Sequence, residues 1–213
     1  MACGVRCTST TDEDVKYYKE SGCCTLKYGI ETGSQKILDL MEKVVKIEDN
    51  YKALMACNRH GIHSPINILL GMPGEDEKTS QETGNFLGKV AAKVGVHPKW
   101  IQSETSYALP LPGTPLWEYG EQVGIIGKET KDQIEFLTRV ADAGTYKRYY
   151  LNLNGAPISE VLFWEYLVKL EASRTFWKEI GSEKNMNKKL NQQYIAQDQK
   201  IKAGNPDQSL KYK

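Results

Sequence analysis

Ile66-Asn67-Ile68-Leu69-Leu70-Gly71-Met72-Pro73-Gly74-Glu75-Asp76 reads as a strand that stops in a backbone turn. Ile66, Ile68, Leu69 and Leu70 form a short apolar run, the pattern of a strand buried on both faces. Gly71 has no Cβ, so a ligand or a second backbone can come close to it. Pro73 fixes φ and Gly74 permits a positive φ, which predicts a sharp turn over Met72 to Glu75. Glu75, Asp76 and Glu77 place negative charge in the first turn of a helix running to about Val94. The loop of this strand–loop–helix unit lies at the carboxyl end of the strand, where α/β folds place ligands. Any such loop needs Gly and Pro, so the stretch alone argues for a fold unit and not for a function.

The same layout repeats on either side. A short strand is expected at Gly4 to Thr8, then a helix capped by Thr10 or Thr11 and ending near Gly22. Cys24 to Tyr28 is the next strand. It breaks at Gly29-Ile30-Glu31-Thr32-Gly33-Ser34, and Ser34 can cap the helix carrying Ile37, Leu38 and Met41. Val44 and Val45 interrupt the pattern before a helix from about Ile47 to Arg59, stopped by Gly61. Beyond the opening unit, Pro98 to Leu109 reads as a strand that ends in Pro110-Leu111-Pro112-Gly113-Thr114-Pro115. Leu116, Trp117 and Tyr119 begin a short helix stopped by Gly120, and Ile134 to Val140 mark another. Tyr146 to Pro157 is an aromatic connection. Ile158 to Ile180 is a long amphipathic helix with Val161, Leu162, Trp164, Leu167, Leu170 and Phe176 on its apolar side. Strands alternating with helices predict an α/β fold with a parallel sheet, its loops opening on one side.

The chain has 213 residues, a formal net charge of +1 and 40% hydrophobic residues, which suits one globular domain with an appendage. The near-zero charge gives no argument for nucleic acid or an anionic membrane as partner. No apolar run is long enough to span a bilayer. Its five cysteines (Cys3, Cys7, Cys23, Cys24 and Cys57) do not make a disulfide framework, so a reducing, cytoplasmic setting is expected.

Glu31 stands at a strand end between two glycines. A carboxylate there can accept hydrogen bonds from ribose hydroxyls or an ammonium group; the alternative is an ion pair with a neighbouring Lys or Arg. Gly33 and Ser34 bring backbone N–H groups and a helix start to the same place. Taken in order, Gly29-Ile30-Glu31-Thr32-Gly33-Ser34-Gln35-Lys36-Ile37-Leu38, Gly71-Met72-Pro73-Gly74-Glu75 and Pro112-Gly113-Thr114-Pro115-Leu116 resemble the radical SAM superfamily. The spacing is most similar to its branch with a cobalamin-binding domain. Arg6 before an acidic helix, Ser21-Gly22-Cys23, Gly124-Ile125-Ile126 and Asn152 with Ile158-Ser159 also match that branch. The resemblance covers roughly Gly4 to Ile180.

The resemblance implies a partial parallel (βα) barrel of about four βα units over 1–123, a helical C-terminal segment over 124–180, and a polar tail over 181–213. It implies that S-adenosylmethionine (SAM) binds across the carboxyl ends of the strands. Glu31, Gly33 and Ser34 would meet its ribose or aminoacyl part, and Gly71, Pro73, Gly74 and Glu75 its adenine side. Arg6 would pair with its carboxylate or face substrate. Pro112, Gly113 and Thr114 would close the last strand. A small-molecule substrate is expected, with cobalamin as a second candidate cofactor.

One departure matters most. The family's 4Fe-4S cluster needs three cysteines spaced C-x-x-x-C-x-x-C after the first strand. Cys3 and Cys7 have the first spacing, but Thr10 stands where the third thiolate belongs, and both flank Arg6, which matches a later strand. No metal site is therefore expected. The chain is expected to begin inside the barrel, without the first two units or the cobalamin domain, and to need the missing half or self-association to cover its open edge. Alone it should not cleave SAM reductively. Two functions follow: the SAM-binding portion of a radical SAM enzyme carrying out methyl transfer or cyclisation, or a cluster-less remnant acting as a partner protein.

The remaining residues favour plainer readings. Cys23 and Cys24 suit buried structural thiols, and a zinc site lacks paired C-x-x-C spacings. Trp164, Phe176 and Trp177 suit packing. Tyr146, Tyr149 and Tyr150 suit either a substrate mouth or a packed loop.

Overall fold

The computed structural model describes residues 2–141 and 155–181. The strands β1 (Ala2–Val5), β2 (Thr25–Glu31), β3 (Ile66–Leu70) and β4 (Gln102–Tyr107) form one sheet in the order β1-β2-β3-β4, every pair parallel. Each strand is laid beside its predecessor through a helical crossover, as parallel neighbours require. The helices are α1 (Asp12–Glu20), α2 (Gln35–Leu40), α3 (Ile47–Arg59), α4 (Glu77–Val94), the turn α5 (Pro98–Ile101), α6 (Pro115–Gln122), α7 (Thr130–Ala141) and α8 (Ile158–Ile180). The sheet is open, an α/β arrangement of four parallel strands, as the alternation of elements predicts.

Burial alternates along the strands. Leu26, Tyr28 and Ile30 of β2, and Ile66, Ile68 and Leu70 of β3, are buried, whereas Lys27, Gly29 and Asn67 are exposed and Leu69 half-buried. The expectation that Ile66–Leu70 is buried on both faces is therefore corrected. Helices cover one face only, and a strand of period two hands its odd residues to the other. Asn67 already breaks the apolar run at the position facing away from the helices. Each fully buried Ile or Leu on the covered face contributes roughly 1.5–3 kcal/mol.

Helix ends follow local chemistry. Thr11 and Asp14 form a capping box at α1. Asp76 accepts from Thr79 N at 2.8 Å and caps α4, which ends at Gly95 in the left-handed conformation. Three boundaries differ from expectation. β1 ends at Val5 because the Ser9 and Thr10 hydroxyls both donate to Arg6 O and bend Cys7–Ser9 into a 3-10 turn. Pro98–Ile101 is a helical turn, so β4 starts only at Gln102. α6 runs through Gly120 to Gln122; the Gly120 carbonyl instead accepts from Ile125 N and Ile126 N, which closes the helix end.

The long helix α8 lies on α4. A Cβ at Gly84 would stand 2.7 Å from Val168 O, and one at Gly88 would stand 2.6 Å from Ala172 O, so the two backbones meet where α4 has no side chain. Val161, Trp164, Leu167, Val168, Ala172 and Phe176 are buried. Leu162 and Leu170, expected on that side, are 43% and 38% exposed. The aromatic connection at Tyr146, Tyr149 and Tyr150, and the polar tail after Gly181, lie outside the described residues.

Candidate functional site

The tip of β2 is held by one lysine. Lys43 Nζ lies 2.7 Å from Glu31 Oε1 and 2.9 Å from Gly29 O. Glu31 has φ 61°, a left-handed conformation that a non-glycine residue adopts at a cost. The ion-pair alternative for Glu31 is thus the observed state, with about a quarter of each side chain still exposed. Only Oε1 is engaged; Oε2 has no hydrogen bond among the described residues and remains an acceptor.

Gly33 and Ser34 are pinned to α4. Gly33 N donates to Thr83 Oγ1 at 3.1 Å, and the Thr32 and Thr83 hydroxyls are 2.9 Å apart. A Cβ on Gly33 would stand 2.7 Å from Thr83 Cα, so glycine is needed here for close packing. Ser34 is the residue before α2, but its hydroxyl does not cap the helix; it donates to Glu82 Oε2 at 2.5 Å. The capping expectation is corrected because a buried hydroxyl took the stronger, charged acceptor on α4.

The loop after β3 braces itself. Gly71 has φ 85° and Gly74 φ 77°, as the turn requires, and Pro73 between them is half-buried. Gly71 N and Met72 N donate to Glu75 Oε2 at 2.5 and 3.2 Å. Glu75 therefore precedes the helix and its cap instead of lying in the first turn. Burial pushes its carboxyl up to about 7, although the two backbone donors pull the other way.

The three loops adjoin. Lys36 of α2 pairs with Asp76 at 2.9 Å, and a Cβ on Gly74 would meet Leu40. Ala108 N donates to Leu70 O at 2.8 Å, and Ala108 packs with Met72 and Leu116. Thr114 accepts from Trp117 N and caps α6, Gly113 before it has φ 80°, and Pro112 is exposed. Parallel strands put these loops on one rim, and the contacts make that rim continuous.

Arg6 follows β1 directly and lines a cleft of about 490 Å³ with Cys7, Gly29, Lys43 and Asn50. Gly71 to Glu75 and Pro112 to Thr114 do not line it. Lys43 and Asn50 escaped the sequence reading. Lys43 stands in the break after α2, and only an unpaired Glu31 upstream hints at it.

The thiols do not suit a cluster. Cys7 is buried, and burial pushes its thiol up to about 12, where it holds its proton. Cys23 and Cys57 are buried, whereas Cys24, expected to be buried, is exposed at the entry to β2. Among the described residues no group of three His, Cys, Asp or Glu is placed to hold a metal ion.

Residues 1–87 match the profile of the Radical SAM superfamily. An uncharacterized methyltransferase of Pyrococcus horikoshii is 28% identical over 114 residues, 54% of this chain and 23% of that protein. The tRNA-2-methylthio-N(6)-dimethylallyladenosine synthase of Corynebacterium diphtheriae is 29% identical over 103 residues, 47% of this chain and 18% of its own length. A solved structure of the radical S-adenosylmethionine methyltransferase TsrM from Kitasatospora setae, bound to tryptophan and a SAM analogue, aligns with TM-score 0.46 at 22% identity. That alignment covers 61% of this chain and 23% of the other, and at this score it carries no argument. The matched parts thus span about a quarter or less of these relatives. The similarity to the radical SAM superfamily thus rests on the segment 1–87, which carries β1 to β3 and the first part of α4.

Proposed function

We propose that this chain supplies the SAM-binding rim of a radical SAM enzyme acting on a small molecule, with methyl transfer as the reaction class. The observation that carries the reading is the continuous rim of three loops, with Glu31 held at φ 61° on it. SAM supplies a methyl group or, given an electron, a radical to such reactions. Glu31 Oε2 is the free acceptor for ribose hydroxyls or the ammonium group. Gly71, without a Cβ, admits the ligand close to the backbone, and Glu75 holds the Gly71–Met72 N–H groups inward so that the loop keeps its shape. Ser34 and Gly33 position the β2 tip through α4. The methyltransferase name of the Pyrococcus horikoshii relative supports the reaction class, and by the resemblance to the branch with a cobalamin-binding domain, cobalamin would serve as methyl carrier.

The described residues do not offer the three thiolates that an iron–sulfur cluster takes: no group of three His, Cys, Asp or Glu among them is placed to hold a metal ion. The cluster and the cover for the open sheet would come from a partner half of the barrel or a larger assembly. The second reading, a binding or partner protein without cluster chemistry, is favoured by the Lys43–Glu31 pair, which satisfies the carboxylate with no ligand. A reducing, cytoplasmic setting fits Cys7, Cys23, Cys24 and Cys57, none of which forms a disulfide among the described residues; no described helix is long and apolar enough to cross a membrane.

Hydrogen exchange of the full chain tests the reading. Saturating SAM should slow exchange at Ile30–Ser34 and at Gly71–Gly74 together. Unchanged exchange in both loops contradicts it.

A further inference from the structure

The cleft beside Arg6 contains a polar group that the fold leaves unsatisfied. Asn50 on α3 is 0% exposed, and neither its Nδ2 nor its Oδ1 has a hydrogen-bond partner among the described residues. A buried amide with no partner is destabilising, and an apolar side chain would fit the surrounding core better. Asn50 lines the cleft that Arg6 also lines. The Arg6 guanidinium is exposed and has no carboxylate partner among the described residues, whereas the Lys43 ammonium is engaged by Glu31 and Gly29 O. The cleft wall at Glu42 and Val44 has φ 53° and 51°, and Val44 is 91% exposed. A β-branched residue in that conformation is strained, as occurs at ligand clamps.

The chemistry of these groups restricts the ligand. An unpaired guanidinium suits a carboxylate, which it can bind with two parallel hydrogen bonds. A carboxylate offers only acceptors, so it can satisfy Asn50 Nδ2 but not Oδ1. The second atom needs a donor on the ligand beside the carboxylate. A hydroxyl meets that need without adding another cation next to Arg6 and Lys43, as an ammonium would.

We propose that this cleft binds a small α-hydroxy carboxylate as the substrate side of the site, its carboxylate on Arg6 and its hydroxyl on Asn50. The cleft lies at the tips of β1 and β2 and takes in none of Gly71 to Glu75 or Pro112 to Thr114, so its occupant sits beside the proposed SAM rim. The assignment stands without the SAM reading: it is read with no SAM present and fails at Arg6 and Asn50, whereas the SAM reading fails at Glu31 and Gly71.

The test is L-lactate titrated into the ¹⁵N-labelled full chain, with the Asn50 side-chain amide as the reporter. Saturable shifts of that amide are expected. Propionate, which lacks the hydroxyl, and the exposed-site variant Arg6→Gln should each weaken binding by about tenfold. Asn50→Leu, followed at the backbone amides of Arg6 and Gly29 in the same cleft, should abolish the lactate shifts seen there in the wild type while holding or raising the thermal midpoint, since it removes two unsatisfied polar atoms. Equal binding of lactate and propionate, an unaffected Arg6→Gln variant, or a lowered midpoint in Asn50→Leu overturns the proposal. Competitive displacement of lactate by SAM overturns it as well, because the cleft would then serve the aminoacyl end of SAM.

Discussion

Lys43 Nζ stands 2.7 Å from Glu31 Oε1, and the residue it holds has a φ of 61°. A side chain from the α2–α3 connection therefore keeps the last residue of β2 in a conformation it would otherwise leave. The same lysine also donates to Gly29 O at 2.9 Å, so one side chain ties both the backbone and the carboxylate of the strand end to that connection.

The pair should be coupled but modest. Both side chains are roughly a quarter exposed, so a double-mutant cycle of Glu31→Gln and Lys43→Met in urea should give a coupling of about 0.5–1 kcal/mol. Glu31→Gly should lose that pair yet regain about 1 kcal/mol of backbone strain, for a net change near zero. A coupling indistinguishable from zero would mean that Lys43 does not hold β2.

Glu75 sets a pH dependence. Its folded value, about 7, lies above the ordinary carboxyl value of 4.5, so the folded state binds more protons between them. The stability it contributes is complete below about pH 4.5 and is lost as pH rises through about 7. The linkage amounts to at most about 3 kcal/mol. Glu75→Gln keeps an acceptor for Gly71 N and Met72 N without the charge. Its urea midpoint at pH 7.5 should exceed wild type, and the slope between pH 4.5 and 7 should flatten. An unchanged slope would remove Glu75 from this role.

The α4–α8 contact should be intolerant of a single methyl group. Gly84→Ala and Gly88→Ala place a Cβ within 2.6–2.7 Å of backbone atoms of α8. Each should cost about 1–3 kcal/mol despite the better helix propensity of Ala. Circular dichroism melts check this, and wild-type stability in both variants would show that α8 does not pack there.

Period and punctuation made most of the frame legible. Ile66–Leu70, Ile47–Arg59 and Ile158–Ile180 have the bounds their patterns indicate, because long periodic runs and Gly stops are local signals. The misreadings arose where side chains answered distant partners. Ser34 looked like a helix cap and instead found Glu82, 48 residues away. Glu75 looked like first-turn charge and folded back on Gly71. Which face of β3 is open depends on what covers the sheet, and Asn67 was the one local sign. The rim loops were legible as a set of motifs, but Lys43 and Asn50 acquire their roles only through tertiary placement.

The uncovered sheet face and the β1 edge should make the isolated chain associate. Lys27, Gly29 and Asn67 expose that face, and β1 has a strand neighbour on one side only. Sedimentation velocity over a concentration series should show growing assemblies. A compact monomer at the highest concentration would contradict this.

The central claim is that the rim binds SAM, and calorimetric titration of SAM into the full chain tests it most directly. Glu31→Ala removes a charge-assisted hydrogen bond, typically worth ~1.5–3 kcal/mol, and should weaken binding by about tenfold to a hundredfold. Gly71→Val fills the backbone approach at φ 85° and should weaken it as well. Loss of affinity in both variants is the predicted result; wild-type affinity in both would contradict the account.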